Sequence, residues 1–471
     1  MSGFLNKAFL FFTVCSFSAS FALAADAPHD TMTETVPVPA QESGDAGYEE
    51  APPPSISESP VAKPSIDGFG TLEENHGGLP ASVWKTSTRE SADVLLSEID
   101  SGVANDTIRN LLIRLLMTQA TPPAGTSTTD WLTLRINTLI NLGQDDKALQ
   151  MISALPSTMT SEQILELQTG LQLAQGNYDK SCAAAQPDKP TADQSNNVFW
   201  KKLSILCQAR AGKHDEAMVG LDILRETNSD EPFFQEQIRK IDDKTFLTRT
   251  LPSKFTLFDV AVIRAANDTD KLKDKIDVLP PVVLKYIAQD ATLDIKLREK
   301  AANRAQQLGI IAAPDNSKTP EPAFTKNVAS DVTTLATALG SGKPANDSDG
   351  AVIARLALDD SSIQDSRRIE RLLTLMEPFG YKVPASVWQK LYAHKVRYDG
   401  EMPPARLVAQ INDAAQFGRQ AEVILLAALI AGNNDADKLP DLALLPIVKA
   451  LKSVGFEKEA RTLAFSAVSR Y

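Results

Sequence analysis

Cysteine and histidine, which often carry nucleophilic, redox or metal chemistry, are scarce in this chain of 471 residues. It has three cysteines and four histidines. No His-x-x-x-His or His-Glu pair offers zinc its ligands at a usable spacing. We therefore predict no metal site. The histidines are His29, His76, His214 and His394.

The cysteines favour a structural role. Removal of an N-terminal signal would take Cys15 with it and leave Cys182 and Cys207. In an oxidising compartment such a pair predicts a disulfide, which would close a loop of about 25 residues and stabilise the fold by roughly 3 kcal/mol. Two buried free thiols are the alternative. A redox-catalytic role is disfavoured because the chain has no Cys-x-x-Cys.

Known catalytic and nucleotide-binding patterns are incomplete. No Gly-x-Ser-x-Gly elbow supports a serine hydrolase. The segment 340–344, Gly-Ser-Gly-Lys-Pro, resembles a phosphate loop, but Thr337 stands where a glycine is needed and Pro344 replaces the Ser or Thr that would reach magnesium. The acidic segment 346–350 lacks the glutamate that closes a calcium loop. We therefore predict neither a catalytic residue nor a cofactor.

Adjacent carboxylates are the remaining candidates for chemistry. Asp145-Asp146 and Asp359-Asp360 are better interpreted as solvated turns or helix caps than as general acids. An enzyme built from such residues, for example a cell-envelope hydrolase acting on cell-wall glycan, stays open as an alternative. It would need a deep groove with two facing carboxylates about 5–9 Å apart.

Any functional site must be positioned by the folded part of the chain, which follows a predicted N-terminal export signal. Residues 1–24 have the pattern of a secretory signal peptide: Lys7, a short apolar stretch, and the small-x-small triplet Ala22-Leu23-Ala24. An uncleaved membrane anchor is the alternative, but the apolar stretch is short for a span of about 20 residues. No other stretch is long and apolar enough to cross a bilayer. We expect an exported, periplasmic protein that is soluble after cleavage.

Most of the net charge belongs to the next segment. Residues 25–76 contain eight prolines and eleven acids against one base, Lys63. Such a composition predicts a disordered tail. The tail accounts for about −10 of the net charge of −12, so the remainder is close to neutral. An acidic chain without clustered Lys and Arg disfavours binding to nucleic acid.

The remainder of the chain has the pattern of an all-α protein. Leu, Ile and Ala recur at helical spacing, and Pro-rich breaks separate the runs. We predict an N-terminal helical repeat region at 77–313 and a C-terminal helical region at 351–471. Residues 314–350 are predicted to be a linker or a long loop, because Pro, Gly, Ser and Asp are frequent there.

A weak internal repeat specifies how these helices pair. A glycine is followed five residues later by a small residue, and two of the glycines are preceded by a tryptophan twelve residues earlier. The glycine would end one helix in a left-handed conformation, and the small residue would let the next helix approach closely. An irregular bundle with recurring glycine caps is the alternative. The turn positions are Gly143 with Ala148, Gly176 with Ser181, Gly212 with Ala217, and Gly455 with Ala460.

The turns at 143–148 and 212–217 resemble those of tetratricopeptide repeats, whose period is about 34 residues. The resemblance covers residues 130–228 and, more loosely, 405–471. It implies an α-solenoid of helix-turn-helix units that binds a protein or peptide. Segments 78–84, 207–212 and 221–226 are also similar to an uncharacterised family of exported bacterial helical proteins, which implies an envelope address and no established activity.

A shorter repeat occurs once in each predicted helical region: Pro-Ala-Ser-Val-Trp is found at 80–84 and again at 384–388. We interpret it as a repeated way of starting a helix, with proline in the first turn. A duplicated binding element is the alternative. Together these features predict a non-catalytic scaffold that binds a protein or peptide partner in the cell envelope, or a purely structural assembly component.

Overall fold

The computed structural model describes residues 66–99, 102–185, 197–227, 231–312, 326–343, 346–356, 363–393 and 402–469. This part of the chain is all-α. It contains twenty α-helices and, in place of strands, two isolated bridges. Residues Ala62–Tyr471 form one compact unit. The predicted signal segment, His29 and His394 lie outside the described residues.

Twelve helices make up the N-terminal part, together with short 3-10 helices. Side-chain caps fix where several begin: Asn105, Asp130, Ser161 and Asn197 each accept a hydrogen bond from a backbone N–H of the first turn. The helices are α1 Arg89–Ser97, α2 Asp106–Met117, α3 Trp131–Asn141, α4 Asp145–Ser153, α5 Glu162–Ala174, α6 Tyr178–Ala184, α7 Val198–Arg210, α8 His214–Glu226, α9 Pro232–Asp242, α10 Leu257–Ala265, α11 Pro281–Gln289 and α12 Ile295–Gln307. The 3-10 helices here are Ile66–Gly68, Glu74–His76, Ser157–Met159, Thr269–Asp274 and Ile276–Val278.

Six of these helices form three consecutive antiparallel pairs, α3–α4, α5–α6 and α7–α8. The chain then reverses along the first helix of each pair: α9 packs on α7, α10 on α5, and α11 on α3. The face that an open helical array would present is therefore partly covered by its own chain. We call α9–α11 the return layer.

Eight helices make up the C-terminal part. They are α13 Lys326–Ser341, α14 Asp347–Leu356, α15 Ile363–Met376, α16 Ala385–Ala393, α17 Ala405–Gln416, α18 Gln420–Ala431, α19 Asp441–Ser453 and α20 Glu457–Ser469, with a 3-10 helix at Glu377–Phe379. Helix α18 is buried along most of its length and is in contact with α1, α2, α17 and α19. Helices α1 and α2 also contact α3, so they link the two predicted helical regions within one unit.

Residues 66–76, which the sequence predicts as the end of a disordered tail, are described by the structure and include the 3-10 helices Ile66–Gly68 and Glu74–His76. The buried side chain of Arg135, on α3, donates hydrogen bonds to the backbone carbonyls of Phe69 at 2.7 Å, Leu116 at 2.8 Å and Thr118 at 2.9 Å. Burial lowers the pKa of Arg135 to about 10, so the group still carries its charge at neutral pH. The Arg135 guanidinium thus links Phe69, within the predicted tail, to the C-terminal end of α2.

Residues 326–341, which we predicted as part of a linker or long loop, form α13 and pack against α20. Buried Val332, Leu335, Ala336 and Leu339 supply the apolar face of this helix. The two copies of Pro-Ala-Ser-Val-Trp also differ. The second leads into α16, whereas residues 81–86 form consecutive turns rather than a helix.

Candidate functional site

A groove of about 890 Å³ opens between the first helices of the three pairs and the segment of the return layer that connects α9 to α10. One wall consists of side chains from α3, α5 and α7. The other is formed by the start of α9 and by residues 250–259, with Pro280 at one end. Its volume lies in the range of ligand-binding clefts. We call it the return-layer groove.

Apolar and amide side chains dominate the groove. Phe199 lies edge-on to Phe258, with ring centroids 5.5 Å apart, and Val198 stays 37% exposed at the surface. Asn137 and Gln163 also line it, and neither side chain has a hydrogen-bonding partner among the described residues. Free amides beside apolar surface suit an extended polypeptide, whose backbone offers both donors and acceptors.

The charged groups of the groove are unequally partnered. Lys202 forms an ion pair with Glu231 and also approaches the ring of Phe234, at 5.6 Å from its centroid. Lys254 is exposed on the opposite wall. Glu166 has no Lys or Arg within 4 Å among the described residues.

Glu166 belongs to a small polar cluster that the fold holds in place. Asn197 caps α7 by accepting from the backbone N–H of Phe199 at 2.8 Å. Its amide nitrogen donates to Glu166 and, at 3.2 Å, to Glu162 one turn earlier on α5. Burial raises the pKa of Glu166; Asn197 opposes the rise, and the negative charge of Glu162 adds to it.

Asp259 is the second groove carboxyl with a raised pKa, and burial is again the main cause. It forms a capping box at the start of α10: its carboxylate accepts from the backbone N–H of Thr256 at 2.9 Å and from the Thr256 hydroxyl at 2.8 Å. Helix capping accounts for its position without a role in acid–base chemistry.

The predicted turn positions lie where two helices of a pair meet. All four glycines have a left-handed backbone: φ is 72° at Gly143, 85° at Gly176, 75° at Gly212 and 98° at Gly455. The small residues that follow, Ala148, Ser181, Ala217 and Ala460, are buried. These residues lie outside the groove. The first three turns pair the helices of which α3, α5 and α7 line it, whereas Gly455 and Ala460 pair α19 with α20.

Cys182 and Cys207 lie at disulfide distance, with their sulfurs 1.93 Å apart and their Cα atoms 5.7 Å apart. They join α6 to α7, the helix that also carries Phe199 and Lys202. The pair is partly exposed. Its position makes it a structural tie behind one wall of the groove.

The other residues singled out in the sequence do not come together. His76 pairs with Glu73 at 3.4 Å and His214 with Asp242 at 2.9 Å, and both histidines are far from buried. Among the residues that the structure describes, no group of three His, Cys, Asp or Glu could hold a metal ion. Gly340 and Ser341 end α13 and do not form a phosphate-binding loop.

Of the adjacent acids at the first turn, Asp145 is not the solvated turn or helix-cap residue that the sequence pattern predicts. Asp145 is 2% exposed and accepts from the Lys285 ammonium at 2.7 Å and from the Tyr286 hydroxyl at 2.5 Å. Gln175 donates to the same hydroxyl at 3.0 Å. Asp146, in contrast, is exposed. The cluster ties the first repeat turn and α5 to α11 of the return layer. Asp359 and Asp360 lie outside the described residues.

Comparisons with known proteins bring no further assignment. No family model, curated protein or solved structure matches this chain. None of the helices in the described ranges has the length and apolar character needed to cross a membrane. The site must therefore be interpreted from its own geometry.

Proposed function

We propose that this protein is an exported, non-catalytic helical scaffold that binds an extended segment of a partner protein in the return-layer groove. The observation that carries the proposal is the groove's lining, in which apolar side chains lie beside the unpartnered amides of Asn137 and Gln163. Apolar contacts would supply affinity, and the amides would hydrogen bond to the backbone of the bound segment.

Two features support export to the cell envelope. Residues 1–24 have the charge, apolar stretch and cleavage triplet of a secretory signal. Cys182 and Cys207 lie at disulfide distance, and disulfides persist mainly in oxidising compartments. A periplasmic address agrees with both.

The groove favours binding over hydrolysis. A glycan hydrolase would need one carboxyl as an acid and a second as a base or nucleophile. Of the groove carboxyls with raised pKa, Asp259 caps α10 and Glu166 accepts a hydrogen bond from Asn197. Because Asp259 is engaged in capping α10, Glu166 lacks a second free carboxyl of raised pKa, among the described residues of the groove, with which to form such a pair.

Site-specific photocrosslinking in intact cells tests the proposal. A benzophenone amino acid replaces Val198, which lines the groove and is 37% exposed, or Val94 on α1, which is 52% exposed and outside the groove. We expect a discrete adduct from position 198 that is absent from position 94. Mass spectrometry of the adduct should locate one continuous segment of the partner. Equal adducts from both positions, or none from position 198, would refute groove binding.

A further inference from the structure

The return-layer groove has more negative than positive charge available to a ligand. Its lining contains Glu166, Glu231 and Asp259 against Lys202 and Lys254. Lys202 and Glu231 satisfy each other in an ion pair. The remaining charges are therefore two carboxylates and one exposed lysine, with another carboxylate, Glu162, bound to the same amide as Glu166.

Among the described residues, the carboxylates of Glu162 and Glu166 on α5 have no positive partner. Glu162 and Glu166 are four residues apart, which places them on one face of the helix, where like charges repel. The Asn197 amide bonds to both. Neither has a Lys or Arg within 4 Å in the described ranges, although both side chains are partly buried. A cation would relieve the repulsion at this point.

The apolar surface lies on the same side of the groove. Leu167 follows Glu166 on α5, and Phe199 lies two residues after Asn197 on α7; both side chains line the groove. A ligand that places a positive charge at the glutamates thus has apolar surface within reach along its length. Lys and Arg suit this arrangement, because their long aliphatic stems pack on apolar surface while the charged end reaches a carboxylate.

We propose, on the basis of the proposed function, that the groove takes a basic extended peptide segment of a partner protein, with a Lys or Arg side chain at Glu162 and Glu166. Apolar side chains of the same segment pack on Leu167 and Phe199. The chain's own segment 25–65 does not fit this charge requirement, because it carries eight acids and one base.

Selection from a random peptide library, followed by affinity measurements, tests this specificity. Phage displaying random 12-residue peptides are selected on the chain from residue 25 onward. Peptides that lose binding to V198W, in which a tryptophan fills the groove, are kept as groove-dependent. The enriched consensus peptide and its copy with Gln in place of Lys and Arg are then titrated by fluorescence anisotropy.

The titrations compare the wild type with E162Q/E166Q, which keeps the size of the side chains and removes their charge. The control is E90Q/E226Q, which removes the same charge at exposed positions outside the groove. Circular dichroism melting of each variant establishes that it folds. We expect groove-dependent peptides enriched in Lys or Arg, and binding of the consensus about 10-fold weaker to E162Q/E166Q. The control and the Gln-substituted peptide should show no such loss.

Groove-dependent peptides without basic residues, or basic peptides that bind E162Q/E166Q as tightly as the wild type, would overturn the specificity while leaving groove binding intact. A library that yields no peptide sensitive to V198W would overturn the proposed function, and the specificity with it.

Discussion

The buried carboxylate of Asp145 is expected to be a principal tie between the first helix pair and the return layer. Replacing it with Asn keeps its size and removes its charge. Lys285 would lose its partner at 2.7 Å and keep only Asp146, at 3.4 Å. Tyr286 would face an amide in place of a carboxylate acceptor.

The size of the effect follows from burial. Breaking a fully buried ion pair costs about 3–5 kcal/mol. The Lys285 side chain is 19% exposed, so water takes over part of its solvation. We expect Asp145→Asn to lower the free energy of unfolding by about 2–3 kcal/mol. The matched control is Asp146→Asn, the same change at the next residue, whose side chain is 83% exposed. It should cost less than about 0.5 kcal/mol.

Urea titration followed by far-ultraviolet circular dichroism gives both free energies. Intrinsic fluorescence should follow the same transition, because α11 and the helix pairs belong to one compact unit. If Asp145→Asn and Asp146→Asn have equal effects, the cluster does not hold the return layer and the reasoning is wrong.

The same cluster predicts a loss of stability at high pH. Burial alone would lower the pKa of Lys285, but Asp145 and Asp146 raise it above its usual value. Burial and the hydrogen bond to Asp145 raise the pKa of the Tyr286 hydroxyl. The unfolded chain loses these protons near pH 10 to 10.5, while the folded chain retains them to higher pH. Their contribution is therefore complete below about pH 10 and falls as the pH rises further. Stability should fall less steeply above pH 10 in Tyr286→Phe than in the wild type; parallel curves would contradict this.

Three further predictions concern the scaffold. Cys182→Ser should lower the free energy of unfolding by about 3 kcal/mol under oxidising conditions, and no difference from the wild type in urea titration would show that the bond does not form. Gly220→Ala should cost about 1–3 kcal/mol, since its Cβ would lie 2.6 Å from a side-chain carbon of α7; Gly170→Ala, with 3.6 Å of clearance, should be neutral or slightly stabilising in the same assay. Deleting residues 25–65 should leave the melting temperature unchanged, whereas deleting 25–76 should lower it.

Local patterns in the sequence were sufficient to predict the all-α class and the backbone conformation of several glycines in turns. A glycine at the end of an apolar run predicts a left-handed residue because few other residues accept that backbone conformation, and Gly143, Gly176 and Gly212 have it. The apolar spacing of Val332, Leu335, Ala336 and Leu339 also fits a helix. The prolines and glycines around them favour a linker or a long loop, and this composition is what the prediction for residues 314–350 rests on.

The groove could not be predicted, because it depends on contacts between residues far apart in the chain. Helix α10 packs on α5, and α11 on α3, across about 90 to 150 residues. Periodicity identifies which face of a helix is buried but not its partner. One local signal was available: Glu162 and Glu166 place two like charges on one face of α5, a costly arrangement that often needs a partner.

The return layer limits how this protein can bind. An open array of helix pairs offers a long concave face, along which a partner can contact every repeat. Here α9, α10 and α11 pack along the first helices of the pairs, and within the described part of the chain a groove stays open beside residues 250–259. A partner should therefore engage through one short segment rather than wrap along the array. Affinity would then depend on a few side chains. Glu162 and Glu166, which have no Lys or Arg partner among the described residues, are the part of the groove best suited to select among segments by charge.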